Sequence, residues 1–317
     1  MKERRLGLSR EKIQEIAIYV AFVALFIIFS VTLKDVGTGF MSTSNLMNIL
    51  RQTCLIAILS VGMSFVLAAG QIDLSIGSVI GLVSLVAAIV IRDVGLWAGV
   101  FAGLLCGALI GVLNGVLVAY IRMPAMVATL GTMTVFAGVG RTLTQLKAVP
   151  IQNDFFNNVF GGGTLGILPT SFLWLLAIML IGYLVMNKSK FGRKVLATGG
   201  NSRAALYSGI NIKSITFSVM VINGFLAAVV GLLWAGRFSG GRYSLGESVE
   251  TSVIAATVLG GTSITGGRAS VLGAAIGAIM VGMLDNALVL YGLDVYQQMI
   301  VSGAVIILAV ALTTRRD

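Results

Sequence analysis

The stretch NKSKFGRKVLATGGNSRAALYSGINIK, which runs from Asn187 to Lys213, decides how the rest of this 317-residue chain is interpreted. It is the longest polar interval in the sequence, and it carries six basic residues and no acidic one. Apolar runs of membrane-crossing length flank it on both sides. Because short basic loops stay on the cytoplasmic side of a membrane, the stretch predicts a cytoplasmic loop that fixes the orientation of the flanking spans.

A short helix is predicted inside this loop. The residues Gly199–Ser202 offer an N-cap, Arg203–Ser208 can form the helix, and Gly209 can end it. A short helix held between two membrane spans is suited to passing movement from a soluble partner to the membrane. The loop is therefore predicted to be more than a plain linker.

The composition places the chain among polytopic membrane proteins. Of its residues 57% are hydrophobic and 11% are charged, which is more apolar sequence than a soluble core needs. The net charge of +10 is explained by the sidedness of the loops, and no nucleic-acid partner is expected, since no basic cluster is interleaved with aromatic residues. Histidine is absent, so neither a histidine metal site nor a histidine general base is expected. Cys54 and Cys106 fall within apolar spans and are predicted to be free thiols.

An all-α fold with about ten transmembrane helices is predicted for a single domain over residues 1–317. Its first half covers about residues 13–186, the central loop residues 187–213, and its second half residues 214–313. A capped amphipathic helix over residues 42–52 is expected at the outer surface. This arrangement places both termini and the central loop in the cytoplasm. The predicted spans cover about residues 13–33, 53–69, 75–91, 96–121, 125–143, 170–186, 214–238, 251–264, 269–290 and 296–313.

The distribution of charge agrees with this topology. Fifteen lysines and arginines fall on the predicted inner side and seven on the outer side. Trp97, Trp174 and Trp234 all fall near the predicted outer ends of their spans, where an interfacial belt of aromatic residues is expected.

The two halves contain similar segments. GVLNGVLVAY, residues 111–120, aligns with GMLDNALVLY, residues 282–291, and DLSIG, residues 73–77, aligns less well with RYSLG, residues 242–246. The offsets of 171 and 169 residues correspond to five spans. Because an odd number of spans inverts the second copy, the alignment predicts two halves of inverted topology. Chance similarity between apolar segments is the alternative.

Glycine recurs at every fourth position of the predicted fourth span. The stripe drifts by about 40° per step and winds roughly 200° around the helix, so different neighbours can approach its backbone at different depths. The glycines are Gly95, Gly99, Gly103, Gly107, Gly111 and Gly115.

Four segments that occur in order resemble the permease subunit of the ribose/galactose/arabinose/xylose-type carbohydrate ABC importers, and the resemblance covers nearly the whole chain. They are GQIDLSIGSVIGL, NGVLVAYIRMPAMVATLGTM, GRKVLATGGNSRAALYSGINI and VIAATVLGGTSITGGRASVLGAAIGAIMVGMLDNALVLYG. The pair Asp285-Asn286 departs from the resemblance, because the family more often has two asparagines there.

The resemblance implies a transport subunit of the bacterial cytoplasmic (inner) membrane, not an enzyme. It implies three partners: a cytoplasmic ATP-binding subunit, an extracytoplasmic sugar-binding protein, and a second permease copy or a paralogous permease. The absence of a G-x-x-x-x-G-K-[ST] motif agrees, since ATP hydrolysis must then come from another chain, and no cofactor is expected in this one. The ATPase would dock on the central loop, at Gly199, Gly200, Asn201, Ser202, Arg203, Ala204, Ala205, Ser208 and Gly209.

Polar and glycine-rich interruptions of the spans are candidates for the solute pathway or its gate. Asp73 could instead cap the third span, and the segment 260–267 could be only a flexible turn. Asp285 lies well inside the ninth span, where an ionisable group is functional by default, but its counterpart Asn114 suggests interhelical hydrogen bonding instead. The candidates are Asp73, Ser75, Asn114, Gly260, Gly261, Thr262, Ser263, Asp285 and Asn286.

The segment 240–250 is predicted to receive the sugar-binding protein outside, with Arg242, Glu247 and Glu250 able to meet charges on that protein. An ion-coupled secondary transporter of small solutes is the alternative function. It would need ionisable groups deep in the helix bundle, and only Asp285 and Asp73 are candidates. A membrane enzyme is disfavoured because no nucleophile–base set is present.

Overall fold

The computed structural model describes residues 10–37 and 39–314. Helices dominate this part of the chain, and four strands of two residues each form two antiparallel pairs. The helices are α1 (Arg10–Thr32), α2 (Thr43–Ala68), α3 (Ile76–Asp93), α4 (Leu96–Gly115), α5 (Ala125–Thr144), α6 (Asp154–Asn157), α7 (Thr170–Tyr183), α8 (Lys190–Gly200), α9 (Ser202–Tyr207), α10 (Ile212–Arg237), α11 (Val249–Leu259), α12 (Val271–Leu290) and α13 (Val295–Thr314). Three π-helical turns follow α4, α6 and α7, at Val116–Tyr120, Asn158–Gly162 and Leu184–Lys188. The strands are β1 (Val149–Pro150), β2 (Thr164–Leu165), β3 (Leu168–Pro169) and β4 (Gly240–Gly241).

The prediction of an all-α, multi-pass membrane protein is confirmed. Within the described residues, seven helices are long and apolar enough to cross a membrane: α2, α3, α4, α5, α7, α10 and α12. The segment Ile18–Thr32 of α1 and the helix α11 are apolar but shorter. The basic ends at residues 1–9 and 315–317, on which part of the predicted orientation depends, lie outside the described residues.

The prediction of a separate surface helix over residues 42–52 is wrong. These residues form the first turns of α2, which begins after Ser42, whose hydroxyl accepts a hydrogen bond from the Asn45 amide at 3.2 Å. Asn45 and Ile49 are buried, and Ile49 packs with Phe29 of α1 and Met283 of α12. Among the polar residues of this stretch, Asn45 is therefore buried and bonded inside the protein, whereas Thr43, Ser44, Asn48 and Gln52 are exposed.

The centre of the fold is formed by α2 and α10, which pack against each other and are the most enclosed long helices together with α3 and α12. On one side, α10 packs against α3 and α4, and α3 also packs against α5. On the other side, α2 packs against α11 and α12, and α11 also packs against α13. Both predicted thiols are free, with Cys54 buried and Cys106 partly buried.

The glycine stripe of α4 brings two helices close to its backbone, as the sequence predicted. A Cβ at Gly99 would overlap the side chain of Ile91 on α3, whereas one at Gly107 would lie 2.8 Å from the carbonyl oxygen of Gly224 on α10. Further along, a Cβ at Gly111 would lie 2.9 Å from the carbonyl oxygen of Met220. The contact thus passes from α3 to α10 as the stripe winds around α4.

Two extended segments interrupt the helical pattern and lead into α3 and α11. Residues 69–75 lead into α3, and residues 238–248 lead into α11. The second segment runs beside α3, where the Ser84 hydroxyl accepts a hydrogen bond from the Arg242 amide at 3.1 Å. Its strand β4 pairs antiparallel with β1, with Val149 opposite Gly241.

Candidate functional site

The central loop contains the predicted short helix, α9, and a further helix, α8, that the sequence analysis did not predict. In α9 the Asn201 side chain accepts a hydrogen bond from the Ala204 amide at 2.9 Å, and Gly209 follows the helix with φ of +79°. The cap and the terminating glycine are those expected from the sequence. In α8 the Ser189 hydroxyl accepts a hydrogen bond from the Gly192 amide at 3.1 Å.

The helix α9 presents an exposed face with apolar side chains. Leu206 is 59% exposed and Tyr207 is 89% exposed, although both follow a polar cap. Ala204 is exposed beside them, whereas Ala205 is 4% exposed and lies on the face of α9 toward the protein. The exposed apolar pair at the end of α9 was not among the residues predicted to contact a partner, but such a pair on a protruding helix is a typical contact surface.

A glycine of the central loop, Gly199, contacts the end of α2 and the turn over residues 260–267. The Gly267 amide donates a hydrogen bond to the carbonyl of Ala68, the last residue of α2, at 2.9 Å. Gly199 packs against the same carbonyl and against Gly267, so closely that a side chain at Gly199 would overlap the backbone of Ala68. Gly199, in the last turn of α8, therefore contacts both the end of α2 and the 260–267 segment through backbone atoms.

A cavity of about 790 Å³ lies beside α9. It is bordered by Gln71 of the first extended segment, by Arg122 after α4, and by Leu206, Lys213 and Thr216. Its two basic residues, Arg122 and Lys213, are among the fifteen that the sequence analysis predicts on the inner side.

The residues Asp73, Ser75 and Asn114 form one buried hydrogen-bond network, and each is 1% exposed. Asp73 accepts hydrogen bonds from the Ser75 amide at 2.9 Å, from the Ser75 hydroxyl at 2.7 Å, and from the Asn223 side chain at 2.9 Å. The Asn114 amide group donates to the Ser75 hydroxyl at 2.8 Å, and its oxygen accepts from the Thr132 hydroxyl at 2.8 Å. The network ties the first extended segment to α4, α5 and α10.

This geometry favours a structural role for the network over contact with a passing solute. A conventional helix cap accepts a hydrogen bond from an amide in the first turn of the helix. Asp73 instead accepts one from the amide of Ser75, the residue before α3, so it is not such a cap. Its carboxylate is satisfied by three donors, which offsets the cost of burying the charge. Asn223 and Thr132, which complete the network, carried no signal in the sequence that separated them from other polar residues within spans.

The segment 260–263 is likewise enclosed. Gly260 packs against the backbone of Gly273, and the Thr262 hydroxyl accepts a hydrogen bond from the Ser270 amide at 3.2 Å. Thr262 and Ser263 are buried, and Gly261 has φ of +90°. These residues form a tight irregular turn between α11 and α12 that touches the central loop through Gly266 and Gly267.

Asp285 and Asn286 lie on α12 and contact different helices. The Ser302 hydroxyl of α13 donates to the Asp285 carboxylate at 2.8 Å. Asn286 exchanges two hydrogen bonds with Asn45 of α2, each 3.0 Å long. Both residues therefore link helices, as the asparagine counterpart of Asp285 suggested.

The three predicted outer residues differ in their surroundings. Arg242 is exposed, and Glu250 is only partly exposed beside Gly77. Glu247 is already paired with Arg141 at the end of α5, at 3.0 Å, with both side chains 51% exposed. The pair links the segment before α11 to α5.

One exposed face of α5 carries small and polar residues, with the exposed Val127 in line with them and Leu130 at the edge of the face. At helical spacing it carries Gly131, Thr134, Gly138 and Arg141, all exposed. The exposed face of α4 is different, since it carries large apolar side chains suited to lipid: Trp97, Phe101, Leu105, Leu109 and Leu113. Within the described residues, no three His, Cys, Asp or Glu side chains are grouped as metal ligands would be.

The chain matches a known protein family over most of its length. The family described as "Branched-chain amino acid transport system / permease component" matches residues 45–310. The chain is 36% identical to the ribose import permease protein RbsC of Bacillus subtilis over 300 residues, covering 93% of this chain and 92% of that protein. It is 31% identical to the xylose transport system permease protein XylH of Escherichia coli over 378 aligned positions, covering 98% and 95%.

A third relative is the probable ABC transporter permease protein YphD of Escherichia coli, 37% identical over 299 residues, covering 94% of this chain and 89% of that protein. No solved structure gives a significant match.

Proposed function

This chain belongs to the family of permease components described as "Branched-chain amino acid transport system / permease component", and on that basis we propose that it is the membrane-spanning subunit of an ATP-driven importer that passes a sugar or sugar-like solute into the cytoplasm. The observation that carries the proposal is the similarity, over more than nine-tenths of the chain, to permeases named for ribose and xylose. The family description names amino acids, but the relatives that cover the whole chain are named for sugars. Energy comes from a separate ATP-binding subunit, because the sequence has no P-loop.

The ATP-binding subunit docks on α9. Support comes from the exposed Leu206 and Tyr207, from the capped end at Asn201, and from the contact of Gly199 with Ala68 and Gly267. Movement of a partner bound to α9 would reach α2 and the 260–267 segment through backbone contacts, which cannot yield as side chains do. In this proposal the coupling surface consists of the exposed Ala204 together with Leu206 and Tyr207, and Ala205 and Gly199 support it from behind.

The membrane domain has ten spans in two inverted halves, with both termini in the cytoplasm and an inner-membrane location. The support is the pattern of helix contacts, in which the helices α2 to α5 correspond in order to α10 to α13. The helix α2 packs against α11 and α12, and its counterpart α10 packs against α3 and α4. The repeat alignment pairs Asn114 with Asp285, and a hydroxyl bonds each of them at 2.8 Å. The donors, Thr132 on α5 and Ser302 on α13, lie in corresponding helices at the same distance from the helix start, since α5 begins at Ala125 and α13 at Val295.

The solute pathway runs along the small polar face of α5, between two copies of this chain or between it and a paralogue. The polar Thr134 and Arg141 stand on this face beside Gly131 and Gly138, and the described residues of one chain leave the face exposed. The pair of Arg141 and Glu247 would lie at the outer end of this pathway, near the surface that receives the sugar-binding protein. Asp73, Ser75 and Asn114 support the pathway from inside each subunit.

Uptake measurements test the proposed function. The chain is produced together with a candidate ATP-binding subunit and a candidate sugar-binding protein, in a bacterium that lacks its own ribose and xylose importers. We expect uptake of at least one labelled sugar that requires ATP and all three proteins. Uptake that persists without the ATPase and follows an ion gradient instead would replace the proposal by the secondary-transporter alternative.

A further inference from the structure

A second cavity, of about 570 Å³, lies near the opposite end of the long helices from α9. It is bordered by Arg51 of α2, by Asn158, Gly162 and Gly163 of the loop after α6, and by Thr164 and Thr170 around the β2–β3 hairpin. The end of α10 lies beside it, since the guanidinium of Arg237, the last residue of α10, donates a hydrogen bond to the carbonyl of Arg51 at 3.0 Å. The proposed transport mechanism uses none of these residues.

The cavity wall carries positive charge without a matching acidic group. The Nε of Arg51 is buried and has no hydrogen-bond partner in the part of the chain that is described. Neither Arg51 nor Arg237 forms an ion pair with a described acidic residue, whereas the ion-paired arginines Arg92 and Arg141 lie elsewhere. Two neighbouring arginines without an anion repel each other, and an anion in the cavity would relieve that repulsion. The arrangement therefore indicates an anionic ligand with several acceptor oxygens.

Exposed apolar side chains stand next to this cavity. The hairpin of β2 and β3 pairs Leu165 with Leu168, and its tip leaves Leu165 66% exposed and Ile167 68% exposed. Trp174, in the second turn of α7, donates its indole hydrogen bond to the Val159 carbonyl at 3.0 Å. Tryptophan at this position and an apolar hairpin tip at the ends of membrane helices are typical of the level at which lipid headgroups meet their acyl chains.

From these two observations together we propose that the Arg51 cavity binds the phosphate group of a phospholipid, whose acyl chains lie against Leu165 and Ile167. Arginine binds phosphate oxygens with parallel hydrogen bonds, and Arg51 lines the cavity without an ion pair to a described acidic residue. A soluble phosphate would satisfy the charge but leave the apolar tip exposed, whereas a phospholipid satisfies both. The bound lipid clamps the outer loop to the ends of α2, α7 and α10, and this role does not depend on which solute is transported.

Native mass spectrometry of the full chain, purified in a mild detergent, tests the proposal with Arg51→Gln. The matched control is Arg92→Gln, because Arg92 is exposed and already paired with Asp93. We expect wild type and Arg92→Gln to retain one phosphatidylglycerol that Arg51→Gln binds about tenfold more weakly, since one charged pair of hydrogen bonds is lost. Equal retention by Arg51→Gln and wild type would overturn the proposal.

A second variant keeps the test decisive if Arg51→Gln fails to fold. Ile167→Ser removes only an exposed apolar side chain and should also lower lipid retention, whereas Leu109→Ser, on the exposed face of α4, should not. Thermal unfolding of the delipidated protein separates the two sources of phosphate: phosphatidylglycerol should raise the midpoint, and inorganic phosphate at the same concentration should not. Equal protection by inorganic phosphate, or an unchanged Ile167→Ser, would show that the site does not recognise a lipid.

Discussion

Gly77 and Gly246 are in backbone contact where the first turn of α3 meets the segment that leads into α11. A Cβ at Gly246 would lie 2.7 Å from the carbonyl oxygen of Gly77, and a Cβ at Gly77 would overlap the carbonyl oxygen of Gly246. The two glycines are counterparts in the repeat alignment, at an offset of 246 − 77 = 169 residues. Counterparts can touch each other only near an axis that relates the two halves, so their contact supports the proposed inverted repeat at its centre.

Gly77→Ala should lower the stability of the purified protein. The added methyl group meets backbone on the other side, which cannot turn away as a side chain can, so we expect a loss of about 1–3 kcal/mol. The matched control is Gly303→Ala on α13, where a Cβ would meet no described atom within 4 Å. Thermal unfolding followed by tryptophan fluorescence measures both. Equal midpoints for Gly77→Ala and wild type would show that the two segments separate readily and do not form a packed centre.

Asp73→Asn and Asp285→Asn should behave differently although the change is the same. Asp73 accepts three hydrogen bonds from Ser75 and Asn223, so an asparagine would turn one acceptor into a donor that faces other donors. We expect Asp73→Asn to destabilise the protein by about 1–3 kcal/mol, the cost of leaving buried polar groups unpaired. Among the described residues, Asp285 accepts a hydrogen bond from Ser302 alone, and an asparagine oxygen could accept the same bond.

Asp285→Asn is therefore expected to retain most ATP-dependent uptake into membrane vesicles, measured with the matched Asp73→Asn protein in the same assay. This result would agree with the neutral Asn114 at the counterpart position. Loss of uptake by a normally assembled Asp285→Asn protein, together with wild-type uptake that increases at acidic external pH, would instead indicate a coupling proton on Asp285.

Ala204 and Ala205 are neighbours, and their replacement by glutamate should impair different properties: binding of the ATPase for Ala204 and folding of the permease for Ala205. Ala204 is exposed on α9, so Ala204→Glu should leave the permease folded and abolish copurification of the ATPase. Ala205 is 4% exposed, so Ala205→Glu should lower the yield of folded permease because it buries a charge. Tyr207→Glu should behave like Ala204→Glu. Copurification of the ATPase with Ala204→Glu and Tyr207→Glu at wild-type levels would show that docking uses another surface.

The features that the sequence predicted correctly depend on local patterns. The cap of α9 acts over three residues, from Asn201 to Ala204, and the glycine stripe of α4 repeats at a fixed interval. Such signals can be read without knowing which helices are neighbours. The resemblance to sugar permeases likewise depends on contiguous motifs, and the relatives confirm it.

The features that the sequence did not predict depend on contacts between distant residues. Residues 42–52 were predicted to form a separate amphipathic surface helix, but Asn45 in this stretch is buried and bonded to Asn286, which is 241 residues away. Asp73 was a candidate for the pathway, and its partner Asn223 is 150 residues away. A polar residue in a membrane span has the same appearance in the sequence whether it faces a solute or another helix.

Purified permease alone should bind sugars only weakly. High-affinity sugar sites need aromatic faces and several convergent polar groups. Among the described residues, Asp73, Ser75, Asn114 and Thr132 are bonded to one another inside the subunit, and the exposed face of α5 offers little beyond Thr134 and Arg141. A ligand that binds every state equally drives no conversion between them, so tight binding along the pathway would not assist transport. We expect isothermal titration of the solubilised permease with ribose and xylose to give dissociation constants of about 1 mM or weaker, equivalent to about 4 kcal/mol of binding free energy at most. A micromolar site would show instead that this chain, and not only the external binding protein, selects the solute.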